Sequence, residues 1–88
     1  MRINNKQEEL IDYMFKTTKL NFPEIEFKNI SVSPNDHDEI WINVFAPMDE
    51  EREIEFIEFK SRLSVEIEDQ YGYQISILHE VPSLDYTW

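Results

Sequence analysis

The sequence contains no cysteine, a single glycine and few basic residues. Without cysteine, the chain can form neither a disulfide framework nor a thiolate metal site. The single glycine, Gly72, excludes the glycine-rich loops that cradle phosphates, because those loops need several glycines at fixed spacing. No apolar run approaches the ~18 residues of a membrane span, and no secretory signal is recognisable. We therefore expect a soluble cytoplasmic protein.

The scarcity of basic residues gives the chain a strong acidic imbalance. Nineteen acidic side chains stand against eight lysines and arginines, for a formal net charge of −11. Residues 1–35 carry five of each sign, so the whole excess lies in residues 36–88. Such a surface repels phosphate groups, which argues against nucleic-acid binding and against docking on anionic membranes. It would attract a basic protein partner, although a face that is merely solvated has the same composition.

Length and composition indicate one small folded domain. Of the 88 residues, 41% are hydrophobic and 14% are aromatic. A chain of this size buries roughly 60–65% of its unfolded surface. We expect a single domain over residues 1–88, in which residues 81–88 form a C-terminal tail.

The first predicted element is a helix from about Asn5 to Lys19. A period of 3.6 residues places its apolar side chains on one side and its charged side chains near the opposite side. The apolar side consists of Ile3, Leu10, Ile11, Met14 and Phe15. Asn5 followed by Glu8 approximates a capping box, and Pro23 prevents the helix from continuing.

Two strands are predicted after this helix. The apolar residues of the segment 24–32 change face between Phe27 and Ile30, which indicates a bulge or a twisted edge strand. The polar turn 33–38 leads into the strand 40–46, and a hairpin is expected to pair the two strands.

A long helix and a third strand complete the predicted fold. Asp49 and the two glutamates after it favour a helix N-terminus, and the helix is expected to end at Gly72. Residues 73–78 form the last strand. A strand–helix–strand unit pairs its two strands in parallel. The predicted fold is therefore α+β: a two-layer sandwich of order α-β-β-α-β, with a three-stranded mixed sheet and two helices on one face.

The strand 40–46 has two faces of different character. The aliphatic face, which we expect under the helices, consists of Ile40, Ile42, Val44 and Ala46. The opposite face carries Trp41 and Phe45, and a two-layer fold gives that face no layer to pack on. Large exposed aromatics are uncommon on monomers, so we predict a partner-binding surface that forms a homodimer. The alternative is that the tail segment 82–88 covers both aromatics.

The long helix carries two apolar stripes. The stripe that we expect in the core consists of Phe56, Phe59, Leu63 and Ile67. Ile54, Ile57 and Val65 lie on a different side, and we predict that they pack on the first helix or on a second copy of the chain. Acidic residues lie between the two stripes, and we predict that they receive a basic partner. The acidic partner-binding residues are Glu51, Glu55, Glu58 and Glu66.

Few residues are placed for catalysis or metal binding. The turn 35–39 groups nitrogen and oxygen donors, but its spacing fits no calcium loop. With only His37 and His79, a three-histidine metal site is impossible. The carboxylates of the long helix lie on a wet face, and no serine has the surroundings of a nucleophile. We predict no metal, no cofactor and no enzymatic activity, and we interpret His79 as a strand-end side chain.

Three stretches within residues 38–81 follow a strand–helix–strand pattern: 38–44, 63–66 and 71–76. Together they resemble the second half of the small bacterial nucleotidyltransferase domain. The resemblance implies a strand with two aspartates that hold magnesium, a helix with an acidic start, and a strand after a Tyr-Gly turn. Glu39 and Trp41 stand where those aspartates would be, and the turn before them has no glycine. The resemblance therefore implies an inactive relative that serves as a scaffold or binding surface.

Two functions of different class remain open at this point. The first is a non-catalytic acidic interaction domain that self-associates through Trp41 and Phe45 and binds a basic protein, in an antitoxin-, immunity- or inhibitor-like role. The second is a degenerate or metal-dependent nucleotidyltransferase-like module that uses residues 36–39.

Overall fold

A computed structural model describes residues 3–33 and 39–80 of the chain. The elements are α1 (Asn5–Asn21), β1 (Glu26–Val32), β2 (Glu39–Phe45), α2 (Glu50–Tyr71) and β3 (Gln74–Glu80). The predicted α+β fold of order α-β-β-α-β is confirmed. Each observed boundary lies within about two residues of its prediction, which is the usual uncertainty of element ends.

The sheet has the strand order β1-β2-β3, so β2 is its central strand. β1 pairs with β2 in antiparallel fashion, whereas β3 pairs with β2 in parallel fashion. Two parallel strands need a long connection that brings the chain back to the end of the sheet where the first strand began, and α2 is that connection. The predicted mixed sheet is confirmed.

β1 contains the predicted bulge. Its register with β2 shifts between Phe27 and Asn29, which leaves Lys28 as the extra residue. Phe27, Ile30 and Val32 each pair with an apolar residue of β2. Because directly paired residues share a face, the bulge brings all three of these side chains to the helix side of the sheet. The change of face that the sequence indicates is therefore cancelled by the extra residue, Lys28.

The N-terminal cap of α1 lies one residue earlier than predicted. Asn4 is the N-cap: its side-chain oxygen accepts from the Gln7 amide at 2.7 Å, and its backbone N–H donates to Gln7 Oε1 at 3.0 Å. This is a complete capping box, in which Gln7 has the role that we assigned to Glu8. The predicted capping pair, Asn5 with Glu8, is wrong. Asn4 with Gln7 has equally suitable side chains, so residue type alone does not distinguish the two pairs.

The core lies between the helices and one face of the sheet. The buried apolar residues of α1 and of the α1–β1 connection are Leu10, Met14, Phe22 and Ile25. Those of β2 and the residue after it are Ile40, Ile42, Val44 and Ala46. Those of α2 and β3 are Phe56, Leu63, Ile67, Ile75 and Ile77. Phe59 is partly buried against this cluster. The predicted aliphatic face of β2 and the predicted core stripe of α2 are both confirmed.

Arg52 fastens α2 to the end of α1. Its Nε donates to Glu24 Oε2 at 2.8 Å, and its Nη2 donates to the Asn21 carbonyl at 2.7 Å. Its guanidinium lies 4.2 Å from the centre of the Phe22 ring, a cation–π distance. The hydrogen bond from Arg52 holds the pKa of the Glu24 carboxyl below its usual value. Together these contacts fix the corner between the two helices.

Gly72 ends α2 in the left-handed conformation, with φ of 76°. Its backbone N–H donates to the Glu68 carbonyl at 2.8 Å, which satisfies one of the last carbonyls of the helix. The chain can then turn directly into β3.

We expect Gly72→Ala to lower the free energy of unfolding by about 1–2 kcal/mol, the strain of a left-handed residue with a Cβ atom. No heavy atom lies within 4 Å of the position of that Cβ, so the loss comes from the backbone and not from a clash. Urea unfolding followed by circular dichroism measures it. Gly72→Asn is the control and should lose less, because asparagine tolerates this conformation. Full stability of the alanine variant would contradict the interpretation.

Candidate interaction surfaces

The sheet face opposite the helices, here named the open face, is centred on Trp41. In the cross-strand pairing Trp41 lies between Ser31 of β1 and Ser76 of β3. Two small serines leave the indole standing above its neighbours, and it is only half-buried. Leu78, paired with Asn43 on the same face, is 38% exposed. Within residues 3–33 and 39–80, all helical residues belong to α1 and α2, which pack on the other side.

Phe45, the second predicted aromatic of the open face, lies beside an ion pair and is half-buried, as Trp41 is. The Nζ of Lys28, the bulge residue, lies 5.1 Å from the centre of the Phe45 ring and 3.0 Å from Glu80 Oε1. This ion pair joins the two outer strands across the central one. A partner that contacts Phe45 would therefore have to displace or desolvate it. The tail segment 82–88, the predicted alternative cover for both aromatics, lies outside the described residues.

A network of polar side chains lies on the open face between Trp41 and Phe45. The side-chain amide of Asn43 donates to Asn29 Oδ1 at 2.7 Å and to Ser31 Oγ at 2.9 Å. A shallow groove of about 450 Å³ lies over this network, and Trp41 and Leu78 are among its lining residues. The surface thus combines apolar side chains with anchored hydrogen-bonding groups, as the centres of protein interfaces do.

The predicted acidic residues lie on a second surface. Glu51, Glu55, Glu58 and Glu66 are all exposed on α2, in the helix layer. The structure therefore does not bring them together with Trp41 and Phe45, which belong to the other side of the sheet. Glu55 is in addition 3.4 Å from Arg52 Nη1, so part of its charge is paired within the chain.

The predicted packing of the second apolar stripe of α2 on the first helix is wrong. Ile54, Ile57 and Val65 are 55%, 42% and 64% exposed. α1 instead contacts the other flank of α2, where Tyr13 and Thr17 line a groove together with Phe59. The stripe is left at the surface because α1 crosses on the side of Phe59.

A hydrogen-bonded cluster that the sequence analysis missed joins α2 to β3. Lys60 Nζ lies 2.8 Å from His79 Nδ1, and His79 Nε2 lies 2.9 Å from Glu53 Oε2. A lysine ammonium can only donate, so Nδ1 accepts, and the Nε2–H donates to the carboxylate. Burial lowers the pKa of Lys60, which the nearby Glu53 carboxylate partly offsets. The His79 side chain is only 10% exposed, so this cluster fastens β3 to α2 and offers little access to a substrate.

The sequence did contain a signal for the buried position of His79. Ile75, Ile77 and His79 alternate along β3, and strand periodicity places all three on one face. The interpretation of His79 as a strand-end side chain holds for its position in the strand, but it missed the partners of the imidazole. Those partners lie 19 and 26 residues away in sequence, beyond the reach of any local pattern.

The structure places few possible metal ligands together. In the part of the chain that it describes, no group of three or more histidine, aspartate or glutamate side chains could hold a metal ion. The donor-rich turn lies largely outside the described residues, which resume at Glu39. The Glu39 carboxylate lies 3.5 Å from the Ser76 hydroxyl. Of the residues that the nucleotidyltransferase-like hypothesis uses, only Glu39 is described, so that hypothesis stays a prediction.

No protein family, curated protein or solved structure matches the chain. The resemblance to the nucleotidyltransferase domain thus stays a prediction. Neither described helix combines the length and the apolar character needed to cross a membrane.

The half-buried Lys60 makes stability depend on pH in the alkaline range. Its folded pKa is lowered below the reference value of 10.5. Between the two pKa values the unfolded chain binds more protons, so the free energy of unfolding rises with pH there. The desolvation penalty is fully present below the lowered pKa, decreases between the two pKa values and is absent above 10.5.

We therefore expect the wild type to gain stability relative to Lys60→Met between about pH 8 and about pH 10.5. Urea unfolding at both pH values measures the difference. Lys16→Met, at an exposed position of α1, controls for the loss of one positive charge. A difference between wild type and Lys60→Met that falls over this range would contradict the burial of the ammonium.

Proposed function

We propose that the protein is a small, non-catalytic interaction domain that self-associates through its open sheet face and binds a basic protein through its acidic helix layer. The observation that carries the proposal is the half-buried Trp41 between two serines, on a sheet face that no helix of residues 3–33 and 39–80 covers. An indole is among the side chains that contribute most to protein interfaces. Here no feature of the described core requires it, since the core lies on the other side of the sheet.

The size of the open face predicts a weak dimer. The sheet has three strands of seven residues. At the usual strand rise and spacing, such a face measures about 23 Å by about 14 Å, or roughly 320 Å². A standard stable interface buries about 800 Å² on each partner. We therefore expect a dimer whose dissociation constant lies in the micromolar range.

The acidic helix layer supports the second half of the proposal. α2 carries eight acidic and three basic side chains, a net charge of −5, whereas α1 carries three of each. Like-charge repulsion makes this layer a poor surface for a second copy, whereas a basic protein would be steered toward it. Because this layer and the open face lie on different sides of the molecule, both can be occupied together. Such an arrangement suits an inhibitor-, antitoxin- or immunity-like role.

Sedimentation equilibrium of the full chain tests the self-association. We expect a monomer–dimer equilibrium at about 10 to 300 μM that Trp41→Glu shifts to monomer, because a carboxylate would be desolvated at the centre of the interface. Tyr13→Glu, at an aromatic that is 52% exposed on α1, is the matched control and should leave the equilibrium unchanged. A wild type that is monomeric throughout this range would refute self-association.

Binding of a fluorescent oligolysine peptide tests the acidic surface. The triple variant Glu51→Gln/Glu58→Gln/Glu66→Gln should weaken binding at least about threefold, since each exposed ion pair contributes about 0.2–1 kcal/mol. Glu55 is spared because it pairs with Arg52. Glu8→Gln/Glu26→Gln removes two exposed carboxylates outside α2 that form no ion pair in the described residues, and it is the control. Equal losses in both variants would mean that the peptide responds to total charge and not to α2.

A further inference from the structure

The exposed aliphatic stripe of α2, formed by Ile54, Ile57 and Val65, lies opposite the core. At about 100° per residue, its three members fall within about 80° of one another. The buried residues Phe56 and Leu63 lie about half a turn away on the same helix. The stripe therefore occupies the part of the helix that is furthest from the sheet.

Folding gives no reason for these residue types at this place. Isoleucine and valine are weaker helix formers than glutamate, lysine or glutamine at an exposed position. All three side chains remain 42–64% exposed, so they contribute little to the core. Scattered single apolar residues are ordinary on a surface, whereas three that align on one line of a helix form a patch.

Carboxylates lie beside the stripe and at its ends. At the same angular spacing, Glu51, Glu58 and Asp69 form a row along the Val65 side, whereas Glu50 and Glu68 fall within the sector of the stripe, one beyond each end. All five are exposed. The basic residues Arg62 and Lys60 each lie about 60° from the stripe, and Lys60 Nζ is 2.8 Å from His79 Nδ1. The surface is thus an apolar line with one acidic row beside it and a carboxylate at each end.

We infer that this stripe binds a basic amphipathic helix of a partner protein, an inference that rests on the basic partner of the proposed function and specifies its form. From Ile54 to Val65 the helix rises about 16 Å, or three turns, which matches one side of a partner helix. Ile54, Ile57 and Val65 occupy positions i, i+3 and i+11, and the small Ser61 occupies position i+7 between them. Apolar residues at this spacing pack against the apolar side of a second helix. The serine allows the two helices to approach closely.

The charges favour such a helix over a second copy of this chain. Two α2 helices in contact would bring their carboxylates together, and like-charge contacts across an interface are strongly unfavourable. A helix with leucine on one side and lysine or arginine on its flanks would instead place cations beside the row of Glu51, Glu58 and Asp69, as the flanking positions of coiled coils do. Apolar contact then supplies affinity, and the carboxylates favour a basic partner.

The test uses three fluorescein-labelled peptides of about 18 residues, long enough for a helix to form on binding. In the first peptide, leucine and lysine are arranged so that all leucines lie on one side of a helix. The second has the same composition in scrambled order, and the third is oligolysine. Anisotropy titrations with the full chain at about 150 mM NaCl give the dissociation constants. We expect the ordered peptide to bind at least tenfold more tightly than the scrambled one.

The preference should disappear in Ile54→Gln/Ile57→Gln/Val65→Gln, which keeps the helix propensity and the carboxylates. Leu20→Gln is the control, because Leu20 is 84% exposed on α1 and should leave the preference intact. Trp41→Glu should also leave it intact. A preference that survives the triple variant, or that Trp41→Glu removes, would overturn the inference, since the peptide would then bind elsewhere.

Two further outcomes separate the inference from the proposed function. If ordered and scrambled peptides bind equally and both are weakened by salt, the helix-binding stripe is wrong while the basic partner stands. If oligolysine and the scrambled peptide fail to bind even at low salt, the basic partner itself is wrong. Conversion of a dimeric wild type to monomer by the triple variant would assign the stripe to self-association and would also overturn the inference.

Discussion

The alternation of side chains along β2 is the constraint on which the rest of the structure depends. The even-numbered residues Ile40, Ile42 and Val44 lie in the core, so the odd-numbered residues between them, such as Trp41, lie on the open face. A slip of one residue would exchange the two faces and bury the indole. The bulge at Lys28 protects this arrangement, because it returns the apolar residues of β1 to the helix side. The fold and the candidate interface are therefore fixed by the same register.

α2 also has one buried side and one exposed side. The inner stripe, with Phe56, Leu63 and Ile67, packs in the core, whereas the outer stripe, formed by Ile54, Ile57 and Val65, stays exposed. The corner contacts of Arg52 and the cluster of Lys60, His79 and Glu53 fix how α2 is turned about its own axis. Because the helix cannot rotate without breaking them, the outer stripe and its carboxylates point consistently away from the sheet. A defined binding surface on a small domain requires this kind of restraint.

Features that depend on local spacing could be predicted from the sequence, and features that depend on where helices cross could not. The faces of β2, the start of α2 near Asp49 and its end at Gly72 follow from short-range rules, and the structure confirms them. The cap of α1 was placed one residue late because adjacent residues satisfy the same rule. The outer stripe was expected to pack because apolar stripes usually find a neighbour, but the crossing position of α1 is set by Phe22, Phe59 and Arg52, which are distant in sequence. The partners of His79 were missed for the same reason.

The open face is not uniform, and the difference bears on how a partner would approach it. The sequence treats Trp41 and Phe45 as equivalent, since both follow from the same alternation. In the structure the Lys28–Glu80 ion pair lies over Phe45, so contact there would require desolvating or displacing two charges. Contact at Trp41 and Leu78 requires neither. The energetic centre of any interface on this face therefore lies toward Trp41, and the charged end near Phe45 forms its polar rim.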